Sequence, residues 1–221
     1  MLVSTLLTRI NNALRGTDDL APTVGSAEAD YWLSIANQKK DEWARDPLNS
    51  WKWLFEERNL VATVASADNT YALDADFIRP SDRIKVTSGT TELYFDVIDP
   101  QTRYDNPSSV YISGQNPPVL NFNGQVTATT AWIGGTITVP GYYVPADMVL
   151  ATDTVPVYDG NWLAMIVASE VAFNDTSYED KSPDILGKAN SLYQAMKLAN
   201  VAGTATTPRK IRTSVSRIRG V

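Results

Sequence analysis

The hydrophobic period of this chain changes twice. Apolar residues recur at helical spacing up to about residue 57, at period two from about residue 58 to 157, and at helical spacing again up to Gly203. A helical pattern does not settle as a strand, nor a strand pattern as a helix, so this order restricts the chain to an α+β protein whose β segment lies between two helical ones. In the first helical stretch Leu6, Leu7, Ile10 and Leu14 form a stripe, with Ser4 expected as N-cap and Gly16 as stop. Ser26 is expected to cap a second helix, along which Trp32, Ile35, Ala36 and Trp43 make the apolar face while Lys39, Lys40, Asp41 and Glu42 face water. Pro47 lies beyond its end.

The middle reads as short strands. Residues 60–66 and 70–73 are expected to pair as a hairpin about Asp68-Asn69, and residues 84–86 and 93–97 as another about Ser88-Gly89. Residues 110–113, 119–122, 125–130 and 136–139 follow, punctuated by Gly and Pro. After Pro156 a helix bears Leu163, Ile166, Val167 and Val171. A last one bears Ile185, Ala189, Leu192, Tyr193 and Met196, with Ser182 as its expected cap and Pro183 at its first position. The expected architecture is a helical bundle built from residues 1–57 and 158–203. An antiparallel β region (58–157) is inserted in it, and an extended arm (204–221) follows.

The chain contains neither cysteine nor histidine. Disulfides, thiolate metal sites, thiol nucleophiles and the usual neutral-pH general base are therefore excluded, and no catalytic residue, metal site or cofactor is expected. Asp74 and Asp76 are spaced like a carboxylate pair for a divalent ion, which would make a metal-dependent hydrolase. Further acids at ligand spacing are missing, and a turn is the simpler reading. Asp175, Glu179, Asp180 and Asp184 likewise lack the alternation of a calcium loop. Of the six tryptophans, Trp132 alone, in a stretch nearly free of charge, is expected to be exposed. It would be the site if the neutral β face bound carbohydrate or a host surface. No apolar run is long enough to span a bilayer and no signal-peptide pattern is visible, so a cytoplasmic origin is expected.

Charge is distributed unevenly. The net charge is −6, yet residues 204–221 hold Arg209, Lys210, Arg212, Arg217 and Arg219 and no acid, which leaves −11 on the remainder. Among these cations stand Ile211, Val215 and Ile218. Such a segment lacks the apolar content to order itself, and three readings stand: simple disorder, nucleic-acid binding, or an arm ordered along a partner by strand addition or in a groove, the last being favoured.

Several segments, in order, resemble one known family. Trp51-Lys52-Trp53 closes the first helical pair, and the Tyr71–Arg79 element (YALDADFIR) follows. Tyr142-Tyr143-Val144-Pro145 comes next, then an alanine-containing helix from Trp162 to Phe173 and the Leu192–Met196 segment. This succession resembles the head-to-tail connector adaptors of tailed bacteriophages, related to the tail tubular A-type proteins, over roughly residues 1–203. A departure is Leu73-Asp74-Ala75, where the family has Leu-Pro before its Asp-Phe pair. The resemblance implies a non-enzymatic structural subunit, part of a dodecameric ring that joins the portal to the tail and lines the DNA exit channel. Its implied partners are the portal protein, neighbouring adaptor subunits, a downstream tail or nozzle protein and double-stranded DNA in passage. Its implied place is the virion, at the head–tail interface, after assembly in the host cytoplasm. Arg209, Lys210, Ile211, Arg212, Val215, Arg217, Ile218 and Arg219 would form the portal-binding arm.

Overall fold

The computed structural model describes residues 1–17, 21–65, 69–105, 109–114, 117–123 and 132–202. Four helices, α1 (Val3–Arg15), α2 (Ala27–Ala44), α3 (Gly160–Asn174) and α4 (Ser182–Ala202), pack as one layer, with α3 against each of the other three. That position explains why α3 is apolar almost all round: Trp162, Leu163, Ala164, Val167, Ala168 and Val171 are all buried. Trp32 and Trp43 from α2 and Met196 from α4 complete this core, whereas Leu192 and Ile166 are only partly buried against it. Val144, Met148, Val155 and Val157 pack there too, so the chain leaving the sheet belongs to the helical core.

Helix ends are satisfied partly as the sequence suggests. Ser26 Oγ accepts from Ala29 N–H at 3.3 Å, and Asp159 caps α3 by accepting from Asn161 N–H at 2.8 Å. Ser4 is not a cap. Helix α1 starts at Val3, and its free N–H groups at Val3 and Ser4 reach the carbonyls of Asp153 and Ala151. Nor is Ser182 a cap: its hydroxyl donates to Ser169 O of α3 at 3.2 Å and ties the α3–α4 turn shut.

The β region overturns the expected bundle with an inserted antiparallel region. Its eight strands are β1 (Phe55–Thr63), β2 (Thr70–Ala72), β3 (Phe77–Pro80), β4 (Arg83–Ser88), β5 (Thr91–Val97), β6 (Ser109–Ser113), β7 (Val119–Asn123) and β8 (Thr136–Tyr143). They form a single sheet in the order β1-β8-β4-β5-β6-β7-β2, with β3 also paired to β8. The sheet is mixed, because β5 and β6 run parallel. It has a core of its own, built from Ile84, Val86, Val110, Leu120, Ile137 and Val139 among others. The β region is therefore a second layer as substantial as the helices.

The expected pairing of residues 60–66 with 70–73 is wrong. β1 pairs with β8 and β2 with β7, which puts them at opposite edges of the sheet. The sheet curls until these edges approach, where Ala65 N–H donates to the Tyr71 hydroxyl at 3.1 Å. Period two identified the strands, but pairing depends on contacts far apart in sequence. The β4–β5 hairpin does form, with Ser88 opposite Thr91 and Gly89 at φ +60° in the turn.

Candidate functional site

Helices and sheet meet at one joint. Its centre is Trp51, fully buried, whose indole N–H donates to Trp43 O at 2.7 Å and so ties α2 to the chain entering β1. Trp51 stacks on Trp43 (5.3 Å between ring centres) and on Trp53 (6.2 Å), and Trp53 stacks on Tyr158 at 3.8 Å just before α3. Tyr193 of α4 meets Trp51 edge-on at 5.8 Å. One aromatic run thus joins α2, α4 and the segments leading into β1 and α3.

Polar contacts fix the end of α4 to the same place. Asn200 donates to Ser50 O at 3.0 Å and accepts from Lys52 N–H at 3.1 Å, while Lys52 Nζ donates to Ala199 O at 3.0 Å. The Tyr193 hydroxyl donates to the Asp46 carboxylate, which also accepts from Leu48 N–H and Asn49. Burial works against the Asp46 charge, yet the donors from Tyr193, Leu48 and Asn49 hold its carboxyl below the usual range. Burial, aided by this acceptor, pushes the Tyr193 phenol upward.

On the sheet side, β3 crosses β8 with Phe77 opposite Tyr143 and Arg79 opposite Tyr142. Gly141 sits where no side chain fits, since a Cβ there would lie 2.8 Å from Arg79 O. The Arg79 guanidinium lies over the Tyr142 ring at 4.7 Å and donates to Asn49 O at 2.8 Å, bridging sheet to helices. Arg58 of β1 lies 3.9 Å over the Tyr143 ring and pairs with Asp76 at 2.8 Å, Glu56 at 2.7 Å and Asp74 at 3.5 Å. Burial works against the Arg58 charge, but the hydrogen bonds it donates to Glu56 and Asp76 prevail and hold the guanidinium firmly protonated. Burial raises the Tyr143 phenol to about 12.

These contacts settle several residues singled out by sequence. Asp74 and Asp76 spend their charge on Arg58, as turn acids do, and among the described residues no group of three or more acidic side chains is placed to hold a metal ion. Asp175 serves as a turn acceptor for Ser177 N–H. Trp132 is not the exposed ring expected of it: it is partly buried against the sheet core, and its neighbour Ile133 is the exposed side chain. Lys40, expected to face water, is fully buried. Its ammonium donates to Pro145 O at 2.7 Å and Asp147 at 2.6 Å, pinning α2 to the chain after β8. A lysine can occur on a wet helix face or reach across to a distant carbonyl, and local sequence does not distinguish the two. The arm residues Arg209, Lys210, Ile211, Arg212, Val215, Arg217, Ile218 and Arg219, and the strand expected at 125–130, lie outside the described residues.

The joint contains aromatic rings, guanidinium groups and their acceptors, and it is suited to holding geometry. Away from it, an open groove of about 590 Å³ runs along α3 and α4 beside Met165, Gly187 and Leu192. Among the described residues no helix is long and apolar enough to cross a membrane. No protein-family model matches the chain, and no curated protein matches it.

Proposed function

We propose that this protein is a structural head-to-tail adaptor subunit of a tailed phage, forming a ring between portal and tail around the DNA exit channel. The observation that carries the reading is the convergence of three segments that bear the resemblance. Trp51–Trp53, Tyr71–Arg79 and Tyr142–Pro145 lie apart in sequence, yet parts of each gather at one joint: Lys52–Leu54 contacts β8, Phe77 pairs with Tyr143, and Arg79 lies over Tyr142 and donates to Asn49 O, two residues before Trp51. Weakly specific motifs carry more weight when they make one structural unit. A ring wall must keep a fixed angle between the layers that face different partners, and this joint fixes that angle through rings and ion pairs.

The charge distribution agrees with the reading. A body of net −11 repels phosphate, so DNA would pass without adhering, while the basic charge of residues 204–221 suits acidic surface on the portal. Head-to-tail ring interfaces require two different patches on each subunit, a need that two layers joined at an angle can meet. Purified protein mixed with portal rings should give stacked rings in negative-stain images, while the protein alone at micromolar concentration stays monomeric or weakly associated. Absence of any complex with portal, together with specific glycan capture or divalent-dependent hydrolysis, would replace the adaptor with a binding protein or an enzyme.

A further inference from the structure

Of the two edge strands, β1 is the longer, nine residues against three for β2. It is paired to β8 alone, and of its nine residues only Leu60 is buried. Phe55, Glu56 and Glu57 are exposed in succession, so neither face of this end of the strand is covered, and Val61 is 100% exposed. The Phe55 N–H turns back to Lys52 O, and beyond it Glu56–Ala62 make no backbone–backbone hydrogen bond outside the pairing with β8 among the described residues. A long edge of this kind is a template for a further strand.

Acids guard this edge. Glu56 and Glu57 lie on it, and Arg58, the cation that follows them, is engaged by Glu56, Asp74 and Asp76. Two copies of such an edge repel each other, whereas a basic strand is attracted. The chain supplies one. Helix α4 ends beside the start of β1, because Ala199 and Asn200 are bonded to Ser50 and Lys52, three residues before Phe55. Residues 203–221 continue from that point and, extended, reach about 60 Å, against about 30 Å for the whole of β1. They carry Arg209, Lys210 and Arg212 with no acid, and the β-branched Thr206, Thr207, Ile211, Thr213 and Val215, which favour strand.

We propose that the basic C-terminal segment adds to the open edge of β1 of its own chain as a ninth strand. Chain direction makes the added strand parallel to β1, with the cations Arg209, Lys210 and Arg212 on the side of Glu56 and Glu57. Parallel pairing at an edge is the weaker kind, so the strand is exchangeable and a partner can draw it off. This inference does not rest on the adaptor reading; it gives the arm a resting place whatever its eventual partner.

Hydrogen exchange of the full chain tests it, with a full-length variant carrying Ile211→Pro and Thr213→Pro for comparison. Proline removes the N–H groups a strand must donate but leaves the body untouched. Outer-edge amides of Glu56–Ala62 are expected to exchange about tenfold more slowly in the wild-type chain than in the variant, at equal melting temperature. Equal, fast exchange in both overturns the proposal. Protection that grows with protein concentration overturns it as well, by assigning the added strand to a second copy. Retained protection in the variant excludes the C-terminal segment altogether.

Discussion

The helical layer and the sheet handle their surfaces in opposite ways. In the helical layer every element turns an apolar stripe inward, and α3 is enclosed by α1, α2 and α4. In the sheet, the inner strands are equally well buried at Ile84, Val86, Ile137 and Val139, but β1 shows solvent nearly its whole length. The helices bury their inner stripes yet leave Phe173, Leu198 and Val201 exposed, whereas what β1 leaves open is backbone hydrogen-bonding capacity.

Replacing Trp51 with Ala attacks the point at which the two layers meet. A fully buried tryptophan lost without refilling costs about 3–5 kcal/mol, and the Trp43 carbonyl loses its donor as well. Denaturant unfolding measures this loss. A change below about 0.5 kcal/mol would show that the joint contributes little and that the layers stand independently.

Gly141→Ala presses on the sheet side alone. The added methyl meets Arg79 O and the Phe77 ring, both held by their own partners, and the expected cost is about 1–3 kcal/mol. Lys40→Ala presses on the helical side, removing two hydrogen bonds and leaving a void in α2. Asp147 remains well exposed, so water takes over much of its solvation and the cost stays near about 1–3 kcal/mol. If Lys40→Met restores most of that loss, packing of the side chain outweighs its charge.

Smaller effects separate the layers by pH. The Tyr143 phenol is raised to about 12 from 10.0, so its neutral form is favoured in the folded sheet. Its contribution to stability is complete below pH 10.0 and is lost as pH rises through about 12. Asp46 is shifted downward, so its contribution is present above its ordinary value of 3.8 and is lost as pH falls through the lower folded value. Tyr143→Phe should flatten the alkaline limb of a stability–pH curve, and Asp46→Asn the acid limb. A curve changed at the wrong end by either variant would contradict these assignments.

The smallest expected effects test exposure. Leu192→Ala should cost about 1–2 kcal/mol rather than the full loss for a core leucine, since its side chain is only partly buried. Val61→Thr should stay within about 0.5 kcal/mol, because nothing covers the side chain. A larger loss at Val61 in the isolated protein would mean that the edge is already occupied, which would sharpen the case for the added strand.

Element type was legible in the sequence because it follows from local period: the stripes Leu6–Leu14, Trp32–Trp43 and Ile185–Met196 lie on helices, and Ile84–Val86 and Leu93–Val97 on a hairpin. The absence of Cys and His bounded the chemistry for the same reason, since composition needs no fold. Partners were decided only in three dimensions. That β1 lies beside β8 rather than β2, that β5 and β6 run parallel, and that Lys40 is buried on carbonyl and carboxylate oxygens all depend on residues dozens of positions away. A strand's alternation states which face is apolar and nothing about its neighbour. A lysine's stem can lie along either apolar surface or water. The meeting of Arg79 with Tyr142 and Asn49 belongs to the same class: sequence supplied the side chains, and the antiparallel pairing of β3 with β8 brought them together.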